Sequence, residues 1–227
     1  MKDNILYLDN HILIAVKKGD LLTQPTDNTN KSLQEECKAF LKEKFNKKGN
    51  VFLHPIHRLD KPVSGMVLFA RTSKALSRLQ KMTREKKVHK EYIALVEGKL
   101  EKKKAKLQHF LIKKDYRAIV EEKTQKDAKE AILDFEVVLF HKNTTLIKVI
   151  LQTGRYHQIR AQFSHIGHPI VGDGKYKSKK NQNTICLHHF KLAFTHPVTK
   201  EKMVFTHCPA WALAIQPHLC QTNDQMK

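Results

Sequence analysis

Strand-forming segments follow one another along this chain, with helices only at irregular intervals, and that order most narrows what it can fold into. Ile132 to Phe140 and Thr145 to Leu151 show it best: apolar and polar residues alternate, and β-branched and aromatic side chains are frequent. Ile5 to Leu8 and Ile12 to Val16 read as two short strands around Asp9-Asn10. Met66 to Ala70, Lys90 to Glu97, 185–194 and 202–206 read as further strands, and the charged stretch 99–130 as hairpins and loops. A helix is predicted after Ser32, where Ser32 and Glu35 form a capping box. Leu33, Cys37, Phe40, Leu41 and Phe45 share its face, and Gly49-Asn50 stops it. A second helix is capped by Thr72 or Ser73 and turns Leu76, Leu79 and Met82 inward. A third runs from about His157 to Ile166. Helices so placed exclude a βαβα repeat. The expectation is an α+β fold, a single domain over 1–227 with a central, mostly antiparallel mixed sheet flanked by helices and loops. The polar residues 216–227 are expected to fray.

The chain has 227 residues, enough to bury a sizeable core. No apolar run approaches the roughly 20 residues that cross a bilayer. Met1-Lys2-Asp3-Asn4 does not open a signal peptide. The expected location is the cytoplasm, without a membrane partner. Cys37, Cys186, Cys208 and Cys220 match no zinc spacing, and in a reducing compartment they read as free thiols, with Cys37 in the core. The formal net charge is +20. Such a field can reflect a solvated lysine surface, but it draws polyanions, and nucleic acid is the favoured partner. The cations cluster at Lys42 to Lys48, Arg84 to Lys90, Lys99 to Lys106 and Lys175 to Lys180, a scatter that suits a folded phosphate backbone.

Three segments carry polar residues of chemical interest. In His54 to Thr72, Arg58 and Asp60 stand between apolar stretches, and Pro62 with Gly65 signals a tight turn. Read alone, Arg58-x-Asp60 is an ion pair that pins that turn. In Leu151 to Asp173 a strand, a glycine turn and a helix start carry Arg155, His157, Gln158 and Arg160, a setting that attracts phosphate. In Lys90 to Gly98, Tyr92 sits on an otherwise apolar strand and by itself is a core tyrosine. The fourteen histidines raise metal chemistry, but His188-His189 on a strand point to opposite faces and no HExxH spacing occurs.

Together these segments resemble the RluA-type pseudouridine synthases over roughly residues 5 to 210. The family pattern stands here as His57-Arg58-Leu59-Asp60 with Ser64-Gly65, then Lys90, Tyr92 and Ala94, then Thr153-Gly154-Arg155 with His157-Gln158-Ile159-Arg160. Gly167 to Ile170, Gly172-Asp173, Leu187-His188, Leu192 and His196-Pro197 continue it in order. Val63 stands where threonine is usual, Arg71 where lysine is common, and Lys17-Lys18-Gly19-Asp20-Leu21 is a worn Lys-Pro-x-Gly stretch. The resemblance implies isomerisation of uridine to pseudouridine in ribosomal large-subunit or transfer RNA, by a monomer that needs no obligate protein partner, cofactor or metal, and without the S4 RNA-binding domain of many relatives. By resemblance Asp60 is the catalytic carboxylate, Arg155 the cation that keeps it ionised, and Tyr92 the ring that stacks on uracil and assists proton removal. Arg58 and His57 would hold RNA, Ile159 would face the base, and Gln158 and Arg160 would complete the substrate site. A non-catalytic RNA-binding protein on the same scaffold is the rival reading.

Overall fold

A computed structural model of the chain describes residues 2–220 except Asn28 and Asn30. In chain order its elements are β1 (Ile5–Leu8), β2 (Ile12–Lys17), α1 (Leu33–Lys44), β3 (His54–Pro55), β4 (Ser64–Ala70), α2 (Ser73–Arg84), β5 (His89–Glu97) and β6 (Lys104–Lys114). There follow β7 (Arg117–Glu121), β8 (Lys129–His141), β9 (Thr144–Leu151), α3 (Gln158–His165), β10 (Leu187–Thr195), β11 (Lys202–Thr206) and α4 (Ala210–Leu213). The fold is α+β, as the order of segments predicts.

The chain forms two compact units, Met1–His89 with His189–His207 and Lys90–His188 with Cys208–Lys227. In the first unit the strand order is β1-β2-β4-β10, with β3 paired to β4 and β11 to β10. Ile12 to Val16 and Met66 to Ala70 are buried on both faces, which explains why they read as continuous apolar runs. Ile12, Ile14, Met66, Leu68, Leu192 and Phe194 form its core against Ala75 and Leu79 of α2. Both predicted caps are present. Ser32 Oγ accepts from Glu35 N at 3.3 Å, and Thr72 Oγ1 from Ala75 N at 3.1 Å. The capping box is completed differently, since the Glu35 carboxylate takes Lys38 Nζ at 2.8 Å.

α1 stops before Gly49-Asn50. Asn46 enters the left-handed region (φ 47°), a conformation asparagine tolerates, and ends the helix a turn early. Phe45, expected on the inner face, therefore lies beyond the helix and is 43% exposed, under the Arg71 guanidinium at 5.0 Å.

In the second unit the order is β5-β9-β8-β6-β7, and the ladders within it are antiparallel. Tyr92, Val149 and Phe135 are register partners on adjacent strands, so they share the face on which Phe163 of α3 packs against Phe135. Two expectations change at the end of this unit. Cys208 and Cys220 are joined in a disulfide, with Cα atoms 6.3 Å apart, while Cys37 and Cys186 are free thiols. The segment expected to fray from residue 216 is structured through Cys220, with Leu219 buried; 221–227 lie outside the described residues. Twelve residues of separation and no zinc spacing left that pairing invisible to composition.

Candidate active site

The first unit presents His57, Arg58 and Asp60 on the loop between β3 and β4. Val63 N donates to Asp60 O at 3.0 Å, the tight turn that Pro62 predicts. Gly65 serves another purpose. It lies within β4 at φ +126°, and a Cβ there would sit 2.3 Å from His189 N on β10. Only glycine allows that approach. The loop is then pinned from beneath. His57 Nε2 donates to Met66 O at 3.2 Å, and His189 Nδ1 donates to the same carbonyl at 2.5 Å. The two imidazoles meet edge to face at 5.0 Å.

Asp60 is half-buried, and both its neighbours in sequence are clamped. Leu59 is buried and held by Thr23, whose Oγ1 donates to Leu59 O and accepts from Leu59 N, both at 3.0 Å. Lys61 O accepts from Lys17 Nζ at 3.0 Å. Lys17 is wholly buried, and its ammonium also donates to Lys18 O at 2.9 Å and Leu21 O at 2.6 Å. Three carbonyls match three N–H donors. Burial pulls the Lys17 ammonium down to about 7, against the opposing fields of Asp60 and Asp20. A buried cation acting on Asp60 was not assigned from sequence. Its signal was there: a lysine closing the apolar run Ile12 to Val16, with no polar alternation to bring it to solvent. Arg58, by contrast, is exposed, as a residue that meets a large ligand would be.

The second unit holds Tyr92, Arg155, Gln158, Ile159 and Arg160. Tyr92 is 7% exposed on β5. The Thr153–Gln158 turn is organised by one amide. Gln158 Oε1 accepts from Thr153 Oγ1 at 2.8 Å and Arg155 N at 3.0 Å, while Nε2 donates to Ile132 O at 3.0 Å. Arg155 is exposed, and its Nε donates to Glu130 O at 2.8 Å. Ile159 is buried in α3.

Arg160 is not at the surface, where phosphate binding would need it. It is 3% exposed, its Nε and Nη2 bind Asp173 Oδ2 and Oδ1 at 2.6 and 2.9 Å, and its guanidinium lies 4.9 Å from the Tyr176 ring. Gln158 thus shapes the turn that presents Arg155, while Arg160 ties α3 to Asp173 and Tyr176. Tyr176 continues the network, accepting from Ala118 N at 2.7 Å and bonding His157 Nδ1 at 2.8 Å. Burial, with Arg160 and Lys175 nearby, depresses His157 to about 3, so its ring is neutral near pH 7. Among the described residues no three His, Cys, Asp or Glu side chains are grouped as metal ligands.

Residues 11–165 match the RNA pseudouridylate synthase family. The chain is 33% identical over 212 residues to the dual-specificity RNA pseudouridine synthase RluA of Pasteurella multocida, spanning 92% of this chain and 94% of that one. It is 35% identical over 214 residues to ribosomal large subunit pseudouridine synthase C of Buchnera aphidicola subsp. Schizaphis graminum, spanning 88% of this chain and 65% of that protein. Its fold is similar to human RNA pseudouridylate synthase domain containing 4, with a TM-score of 0.77 at 18% identity over 92% of this chain and 90% of that one. The matched span contains the Asp60 loop, the Tyr92 strand and the Arg155 turn, and the chain belongs to the RNA pseudouridylate synthase family.

Proposed function

We propose that this RNA pseudouridine synthase acts on large-subunit ribosomal or transfer RNA, with Asp60 as its catalytic carboxylate. The clamped Asp60 loop carries the reading, because a group that must meet one ribose carbon has to be held before substrate arrives. Relatives named for the ribosomal large subunit support the substrate class. Residues 1–227 are taken as one catalytic domain, working as a monomer in the cytoplasm.

The target uridine leaves its stack to enter the site. The N1–C1′ bond breaks, the uracil turns, C5 bonds to C1′, C5 loses its proton and N1 gains one. Atoms and electrons balance within the substrate, so no cofactor is called for. Asp60 acts ionised, as nucleophile or base, with Arg155 as its cation. Lys17 fixes the adjoining carbonyl and, below about pH 7 where it holds its proton, adds positive potential to Asp60. Tyr92 stacks on uracil and takes part in removing the C5 proton, Ile159 covers the base's other face, and Arg58 and His57 hold the RNA strand. Gln158 acts through the turn it builds, and Arg160 through its tie between α3 and Asp173.

The test is tritium release from RNA labelled at C5 of uridine. Asp60→Asn is expected to fold, to bind RNA as the parent does, and to release nothing above background. Measurable turnover in that variant removes Asp60 from its role. Tyr92→Phe is expected to slow release strongly while leaving binding intact.

A further inference from the structure

The β6–β7 hairpin of the second unit ends in a two-residue turn, Asp115-Tyr116, closed by the register pair Lys114 and Arg117. Asp115 takes the left-handed conformation (φ 51°), so the turn needs no aromatic ring at Tyr116. Yet Tyr116 is 79% exposed, the most open of the large hydrophobic side chains among the described residues. Tyr116 O accepts long hydrogen bonds from Tyr156 Oη and from Lys175 Nζ, each at 3.4 Å. Tyr156 is itself 41% exposed. Its ring lies flat on His157, with centroids 3.8 Å apart and planes 18° apart, and Lys113 Nζ stands 5.2 Å from that ring. His157 is in turn held by Tyr176. A supported aromatic pair, with the Lys113 ammonium over the half-exposed Tyr156 ring, therefore lies beside the far more exposed Tyr116, among the exposed cations Lys114, Arg117 and Lys175, with Asp115 the acid at the tip.

Exposed aromatic faces and cations on rigid supports accept unpaired bases, which have free faces and a flanking phosphate on each side. A duplex hides its base faces and offers phosphates alone. We propose that Tyr116 and Tyr156, with Lys113, Lys114 and Arg117, form a stacking clamp for an unpaired base of the substrate RNA, outside the residues that handle the target uridine. The proposal deepens the reading of the protein as an RNA pseudouridine synthase and rests on it.

The full chain would be titrated with a fluorescent single-stranded 12-nucleotide RNA and with a 12-base-pair RNA duplex, by anisotropy. Tyr116→Ala is expected to weaken the single strand about five- to hundred-fold and leave the duplex within twofold. Tyr116→Trp should restore the single-strand affinity. Because the lost contact is not ionic, the salt dependence of Tyr116→Ala should parallel that of the parent, whereas Lys113→Ala with Lys114→Ala should flatten it. Equal single-strand affinities of Tyr116→Ala and parent overturn the clamp, and so does an equal loss on both probes. The enzymatic reading fails separately: a parent protein that shows Tyr116-dependent binding but forms no pseudouridine in cellular RNA sinks the synthase assignment and spares the clamp.

Discussion

Replacing Lys17 by methionine removes a buried ammonium together with three hydrogen bonds, to Lys18 O, Leu21 O and Lys61 O. The absolute cost combines opposed effects, since three carbonyls lose a donor while the fold is relieved of a desolvated charge. The pH dependence isolates the charge. In the folded protein Lys17 titrates near 7, against an ordinary 10.5. Below pH 7 both folded and unfolded chains hold the proton, and the whole burial penalty weighs on the fold. Between about 7 and 10.5 only the unfolded chain holds it, so stability rises with pH across that window. At about 1.4 kcal/mol per pH unit, the parent gains roughly 3 kcal/mol over the methionine variant between pH 7 and 9. For a chain of this size that is about 6–12 °C in Tm. Thermal unfolding of both proteins at pH 6, 7, 8 and 9 reads the difference directly, because titrations elsewhere are common to both. Parallel Tm curves from pH 7 to 9 would refute the claim that Lys17 loses its proton in the folded state.

Asp173→Asn leaves the Arg160 guanidinium buried without its carboxylate and is expected to cost about 3–5 kcal/mol in chemical denaturation; a loss under 1 kcal/mol would mean that the pair contributes little. Gly65→Ala places a Cβ against the β10 backbone in a left-handed conformation and is expected to yield little soluble protein, whereas Gly49→Ala, with nothing within 4 Å, should behave as the parent in the same expression test. RNA affinity is expected to fall about fifty-fold between 50 and 200 mM salt if the protein neutralises about four phosphates of a single strand; a flat response would contradict the reading of the +20 charge.

The strands were legible because their cause is local. Alternation marked β8 and β9, continuous apolar runs marked β2 and β4, and hydroxyl caps marked the starts of α1 and α2. Where several residues compete for one role, sequence named the wrong winner. Asn46 ends α1 ahead of Gly49, and Phe45 is left outside. The site was legible in its residue types but not in its supports. Asp60, Tyr92 and Arg155 stood out through their family pattern, whereas Lys17 and Thr23 act from 43 and 37 positions before Asp60, across a fold that must exist before the contact does. Arg160 shows the converse: an arginine at a helix start looks like a phosphate ligand until a buried carboxylate thirteen residues on is seen to hold it.

The first unit is assembled from the two distant pieces Met1–His89 and His189–His207, and this has a consequence during synthesis. β4 is buried along nearly its whole length, yet its neighbour β10 is encoded roughly 120 residues later. At ~5–20 residues per second the ribosome takes on the order of ten seconds to deliver that partner. For that interval a nascent chain carries Met66 to Ala70 as an open apolar edge, the kind of surface on which chains pair with one another. His189 and its grip on Met66 are then the closing stitch: a message truncated before residue 189 yields a product whose first unit has no way to finish.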